Sequence, residues 1–271
     1  MLKDKVILIM GIRNKWSIAY GAAKSAYKNG AKLVFTYMGV ENKDKIESLI
    51  SEFEGSKAYE CDASIDSEIE RAFLEIKNDF GKLDGILHAI AHANTEDLRN
   101  DFIYTSKEGF SHANDVSAYT LISTCRIAKE LELLNENASI VCLTYYGAEK
   151  VLKGYNVMGV AKAALECSVR YLADNLGTYG IRVNAISAGP IKTLSAKGIK
   201  DFDSMLDIVK ERSALKRNVS ADEIGDVSTF LFSNMSSSIT GQTIYADSRI
   251  CYNGNVMLQS DTKTNIKNRR I

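Results

Sequence analysis

The sequence predicts an α/β class domain, a single one, built on a doubly wound parallel sheet. Two observations carry the prediction. Short apolar runs of strand length alternate with segments of helical periodicity along nearly the whole chain. The first of these runs ends in a glycine, then a polar loop and a helix start, the junction at which such sheets hold a phosphate. With 271 residues, 45% apolar and 25% charged, the chain can bury one large core.

The elements follow in order. "KVILIMGI" is a buried strand ending at Gly11, and "SIAYGAAKSAYKNGA" puts Ile18, Ala22 and Ala26 at helical spacing before Gly30. "KLVFTY" reads as a second strand, "NKDKIESLISEFEG" as a helix stopped at Gly55, and "KAYECDA" as a strand ending at Asp62. Helix "DSEIERAFLEIKNDFG", strand "LDGILHAI", a long helix through "NDVSAYTLISTCRIAKELELL" and strand "ASIVCLTY" continue the alternation. A helix from about Asn156 to Leu176, strand "IRVNAIS", helices between Asp201 and Phe232, and a last strand "GQTIYAD" complete it. Residues 258–271, "LQSDTKTNIKNRRI", are polar and aperiodic and read as a mobile tail behind a domain of residues 1–257.

Strands alternating with helices of this length imply right-handed crossovers and a sheet covered on both faces, a Rossmann-type arrangement. Ligands then sit beyond the carboxyl ends of the strands, so Gly11, Asp62, Ile90, Tyr145 and Ser187 are expected around one crevice.

Composition narrows the partners. Lysine plus arginine equals aspartate plus glutamate at 34 each, so no global field recruits nucleic acid or an anionic membrane. The five cysteines, Cys61, Cys125, Cys142, Cys167 and Cys251, show no CxxC spacing, which fits a reduced cytoplasmic compartment. The N-terminal apolar run is too short for a signal peptide, and no stretch approaches a membrane span.

At the first junction, "GIRNKWSIAYG" lacks the G-x-G-x-x-G fingerprint. Ser17 is placed to cap the helix, where its hydroxyl can also face a phosphate. After the second strand, "FTYMGVENK" offers no acid for a ribose diol and no arginine for a 2′-phosphate, which inclines the reading to NADH over NADPH. Asp62 can accept from an adenine amino group or cap a turn. His88 and His92 stand four apart in a strand and loop without an evident third ligand, so no metal is expected, and no G-x-S-x-G elbow supports a hydrolase.

The stretch "YYGAEKVLKGYNVMGVAK" carries the chemistry. Nicotinamide-dependent ketone reductases of this architecture place an acid and its helper as Tyr-x3-Lys, but Met158 stands three residues short of Lys162. Tyr155 precedes it by one helical turn, and seven residues at about 100° each bring Tyr155 and Lys162 within roughly 20° of one helical face. Tyr145 stands where the ketone-reducing pattern puts its serine. Moving the donor outward suits a bond in which hydride lands on a β-carbon and charge develops further along, on the oxygen of a thioester enolate.

"SIAYG", "FTY", "YNVMG", "IRVNAISAGPIKTLSAKGIKDF" and "ITG" closely resemble the NADH-dependent enoyl-[acyl-carrier-protein] reductases, members of the short-chain dehydrogenase superfamily, over roughly residues 3–247. The resemblance implies Tyr155 as the stabiliser of the enolate, Lys162 as its ribose-binding partner, and Tyr145 as a second active-site tyrosine. It implies that Gly11, Ser17, Ile18, Asp62, Ala63, Ile90, Ile191, Thr193, Leu194 and Ser195 line the dinucleotide, and that Ala93 and Met158 touch the acyl chain. It implies acyl carrier protein as partner, a homotetramer, and a lid from Leu194 to Met205 following the chain's one proline, Pro190.

The chain departs from the family pattern at three places. Asp203 and Ser204 stand where the lid often carries further positive charge, Ala91 and His92 replace a glycine and an aromatic, and Arg249 replaces a glycine. Arginine strains a left-handed backbone there if that conformation is kept. Two alternatives stay open on the sequence, a ketoreductase of the same superfamily and a dinucleotide-binding paralogue without turnover.

Overall fold

The strands β1 (Val6–Met10), β2 (Lys32–Tyr37), β3 (Lys57–Glu60), β4 (Leu83–His88), β5 (Leu134–Thr144), β6 (Arg182–Ala188) and β7 (Thr243–Ala246) form one parallel sheet in a computed structural model that describes residues 1–193 and 202–250. Their order is β3-β2-β1-β4-β5-β6-β7. The chain winds outward from β1 to β3, then returns to β4 on the other side of β1. That reversal makes the gap between the ends of β1 and β4 the expected place for a ligand.

Alternation along β1 shows why both faces are covered. Val6, Leu8 and Met10 join one apolar cluster with Phe73, Leu121 and Leu165, while Ile7 and Ile9 join another with Ala22, Phe35 and Phe232. The first cluster is roofed by α3 (Asp66–Phe80), α6 (Thr120–Glu130) and α7 (Asn156–Gly177), the second by α1 (Ile18–Lys28), α2 (Lys43–Ile50) and α9 (Ala221–Phe232). Each fully buried aliphatic side chain of this kind contributes about 1.5–3 kcal/mol. Two short helices, α4 (Thr95–Arg99) and α5 (Lys107–Asn114), follow β4, and α8 (Phe202–Arg212) precedes α9.

The structure corrects two boundaries. The long helix expected through Leu134 is instead α5, a π-helical turn at Asp115–Tyr119, and α6, which ends at Glu130. Glu132 turns the chain with φ +49°, and Leu134 already pairs with Leu83 of β4. Sheet pairing outweighs the helical preference of "ELELL". Likewise α2 stops at Ile50, not Gly55, because a turn carries Phe53 onto Phe35, with ring centroids 5.8 Å apart. The expected strain at Arg249 is present, with φ +62° beside Ser248 at +57°. Leu194, Ser195 and the tail from Leu258 lie outside the described residues.

Candidate active site

The β1–β4 gap is shaped for a backbone-hugging ligand. Gly11 has φ +89°, and a Cβ there would lie 2.4 Å from the carbonyl oxygen of Ala89 and 3.3 Å from Ile90 Cγ1, so only glycine lets these loops approach. Ser17 caps α1: its Oγ accepts from the Tyr20 amide at 3.2 Å and donates to the Asn14 carbonyl at 2.8 Å. The capped N-terminus aims amide donors, with Ile18 as first helical residue, at the same gap. Ser187 Oγ, fully buried at the end of β6, has no hydrogen-bond partner among the described residues. A glycine cradle, a helix N-terminus and an orphaned hydroxyl suit the phosphates and sugars of a dinucleotide.

Other expected cofactor residues fall along the same rim. Asp62 follows β3, but its Oδ1 already accepts from Ser64 N at 2.9 Å and Ser64 Oγ at 2.7 Å, so it caps a turn there, with buried Ala63 between them. Ile191 and Thr193 follow β6, joined by the Thr193 amide donating to the Ile191 carbonyl at 2.8 Å. His88 and His92 do not converge: His88 Nε2 meets Thr120 Oγ1 at 2.9 Å inside the fold, whereas His92 Nδ1 meets His112 Nε2 at 2.7 Å outside it.

The ends of β5 and α7 bring the reactive side chains together. Tyr145 closes β5 and Tyr155 caps α7. Their rings meet edge to face with centroids 5.0 Å apart. Gly147 makes room for this pair, since a Cβ there would stand 2.3 Å from Tyr155 Cδ1. Met158 is buried in an apolar cluster with Leu98, Val157 and Ala161, against which Ala93 and Tyr155 pack. Tyr145 Oη donates to Met205 Sδ of α8 at 3.6 Å, so α8 borders the pocket from the far side. Lys162 is buried beneath, its Nζ donating to the Leu143 carbonyl at 2.7 Å.

Burial dominates the titration of these groups. It pushes the Tyr155 phenol well up, aided by Tyr145 and Glu166, so the hydroxyl keeps its proton at neutral pH. Tyr145 is raised too, by burial and then by Asp247. Lys162 is lowered to about 8 by burial, opposed by the Glu166 carboxylate. The arrangement supplies a protonated donor beside an apolar pocket, with a buried ammonium two turns along the same helix, a set suited to a developing oxyanion.

Sequence reasoning missed Thr144, Gly147 and Glu166. Glu166 had one available signal, its place four residues beyond Lys162 on the same helical face. The contact of Gly147 with Tyr155 crosses a connection whose path the sequence does not specify.

A family model described as Enoyl-(Acyl carrier protein) reductase matches residues 11–248. The enoyl-[acyl-carrier-protein] reductase [NADH] of Bacillus cereus is 46% identical over 250 residues, covering 92% of this chain and 97% of that one. An NADPH-named counterpart from Staphylococcus aureus is 48% identical over 249 residues, covering 91% and 96%. The crystal structure of the Bacillus cereus enoyl-acyl carrier protein reductase with NADP+ and indole naphthyridinone superposes with a TM-score of 0.90, at 46% identity, over 92% of this chain and 97% of that one. A reductase structure from Aquifex aeolicus gives 0.88 at 40% identity, over 92% and 96%.

Proposed function

The chain belongs to the enoyl-(acyl carrier protein) reductase family, and from that premise we propose that Tyr155, Lys162 and Tyr145 form its reductase site. The protein reduces the trans-2 double bond of enoyl thioesters on acyl carrier protein, the last step of a fatty-acid elongation cycle, with NADH as reductant. When bound, NADH supplies a hydride to the β-carbon. Gly11, Ser17, Ile18, Ala63, Ile90, Ile191 and Thr193 hold and orient the dinucleotide, and Asp62 faces its adenine end. The Tyr155 hydroxyl donates to the thioester oxygen as the enolate forms, and Lys162 adds positive potential and holds the cofactor ribose. Ala93 and Met158 line the acyl chain, and Tyr145 narrows the pocket against α8.

One observation carries the assignment. Met158, where a ketone reductase needs its acid, is buried among apolar side chains, while the tyrosine one turn earlier packs its ring against the second tyrosine. This favours double-bond over ketone reduction. The reading also includes a homotetramer in the cytoplasm. Its support is the family resemblance together with an open groove between α5–α6 and α7, lined by Ala118, Tyr119, Ile122 and Ala164. No helix among the described residues is long and apolar enough to cross a membrane.

The test is NADH oxidation with trans-2-enoyl thioesters on carrier protein and on coenzyme A, with NADPH in parallel. Turnover is expected with NADH and is expected to be slower with NADPH, because Tyr37 and Met38 at the end of β2 present no cation to a 2′-phosphate. Binding of NADH without oxidation of any enoyl thioester would overturn the assignment in favour of a non-catalytic relative.

A further inference from the structure

Glu166 is buried on α7 one turn beyond Lys162, at 9% exposure. Thr144 Oγ1 donates to its Oε1 at 2.6 Å, just as Lys162 Nζ donates to the carbonyl of Leu143 at 2.7 Å. Two successive turns of α7 therefore hold two successive residues of β5, and the next residue is Tyr145. A buried carboxyl so placed must be compensated by hydrogen bonds or an opposite charge. Thr144 supplies the hydrogen bond, and Arg170 and then Lys162 supply the nearby positive charge.

Groups from four segments face this pair. From α7 and its cap come Tyr155, Lys162 and Arg170, the last donating from Nη1 to the backbone carbonyl of Glu166 at 3.2 Å. Cys142 comes from β5, Glu149 from the turn after it, and His88 from β4. Burial pushes the Cys142 thiol up to about 12, and holds His88 down to about 3, so both are neutral at working pH. Glu166 itself is raised by burial, against the hydrogen bond from Thr144 that lowers it. Among the described residues, it is the carboxyl group whose field acts on Lys162.

We propose that Glu166 is a positioning residue of the reductase site: it clamps Thr144, and with it the Tyr145 end of β5, and supplies the counter-charge to the Lys162 ammonium. The proposal rests on the reductase reading above. Removing the carboxylate weakens the hold of Lys162 on its proton, so activity that depends on the ammonium is lost at lower pH.

The experiment is the pH profile of kcat/KM for NADH-dependent reduction of crotonyl-coenzyme A by the full chain and three variants. Glu166→Gln is expected to move the alkaline limb to lower pH by roughly 0.5–1 unit. Glu166→Asp is expected to restore the limb. Thr144→Val, which removes the clamp but not the charge, should lower kcat and leave the limb in place. A Glu166→Gln profile superimposed on that of the wild type would overturn the proposal, as would unchanged kcat in Thr144→Val, which also serves if Glu166→Gln does not fold. An inactive wild type would instead sink the reductase reading itself.

Discussion

The rings of Tyr145 and Tyr155 meet at an interplanar angle of 74°, one at the end of β5 and the other capping α7, with nine residues of chain between them. The pairing holds the Tyr155 ring against its neighbour, while Tyr145 directs its own hydroxyl to Met205. The two tyrosines are therefore unequal. Tyr155→Phe is expected to lower kcat about 10²–10³-fold, the loss typical of one oxyanion donor. Tyr145→Phe keeps the ring contact and is expected to cost less than about tenfold. Steady-state kinetics with an enoyl thioester separate them, and equal losses would contradict the division of roles.

Much of this site was legible in the sequence because it depends on local periodicity. Tyr155 and Lys162 share a helix, so their spacing fixed their common face, and Ser17 announced its cap by preceding an apolar helical run. What was not legible depends on contacts between distant segments. The early end of α6 follows from Leu134 pairing with Leu83, fifty-one residues away in the chain, and "ELELL" carries no local sign of it. The turn at Asp62 was one of two readings at the outset, and Ser64 occupies its Oδ1. Glu166 meets Thr144 only through the packing of α7 on β5, which joins segments twenty-two residues apart in the chain.

Lys162 sets the pH behaviour. Its folded value of about 8 lies below the ordinary lysine range, because burial disfavours the ammonium. Turnover should thus fall as pH rises through about 8, since the neutral amine adds no positive potential. Stability moves the other way. Between about 8 and about 10.4 the unfolded chain holds a proton that the folded one has released, so stability rises with pH in that window, and below it the buried charge is a constant cost. Lys162→Met removes the cost, less a hydrogen bond to Leu143. It is expected to raise unfolding stability at neutral pH by about 2 kcal/mol while weakening NADH binding. Urea unfolding and a binding titration check both signs.

Gly147 is a positional requirement of the site. A methyl group there would stand 2.3 Å from Tyr155 Cδ1 and 2.7 Å from Cε1, closer than packed atoms come, so the ring has to move. Gly147→Ala is expected to lower kcat by about 10–10²-fold, because a displacement near 1 Å is enough for that. The accompanying loss of stability should be about 1–3 kcal/mol. A variant as active as the wild type would show that the position of the Tyr155 ring does not limit turnover.

Arg249 stands in a turn built by its neighbours. Its amide donates to Asp247 Oδ1 at 2.8 Å, and the carbonyl of Ser248 accepts from the Ala214 amide at 3.0 Å, which ties the turn to the segment following α8. Both bonds use the backbone of residues 248 and 249, so they survive replacement of the Arg249 side chain by hydrogen. A left-handed backbone costs a residue with a Cβ about 1–2 kcal/mol, and glycine carries an extra unfolded-state entropy of about 0.5–1 kcal/mol. Arg249→Gly is therefore expected to stabilise the chain by about 0.5–1 kcal/mol, read as a higher urea midpoint at unchanged slope. A lower midpoint would mean that the contacts of the arginine side chain outweigh the strain and secure the segment after α8.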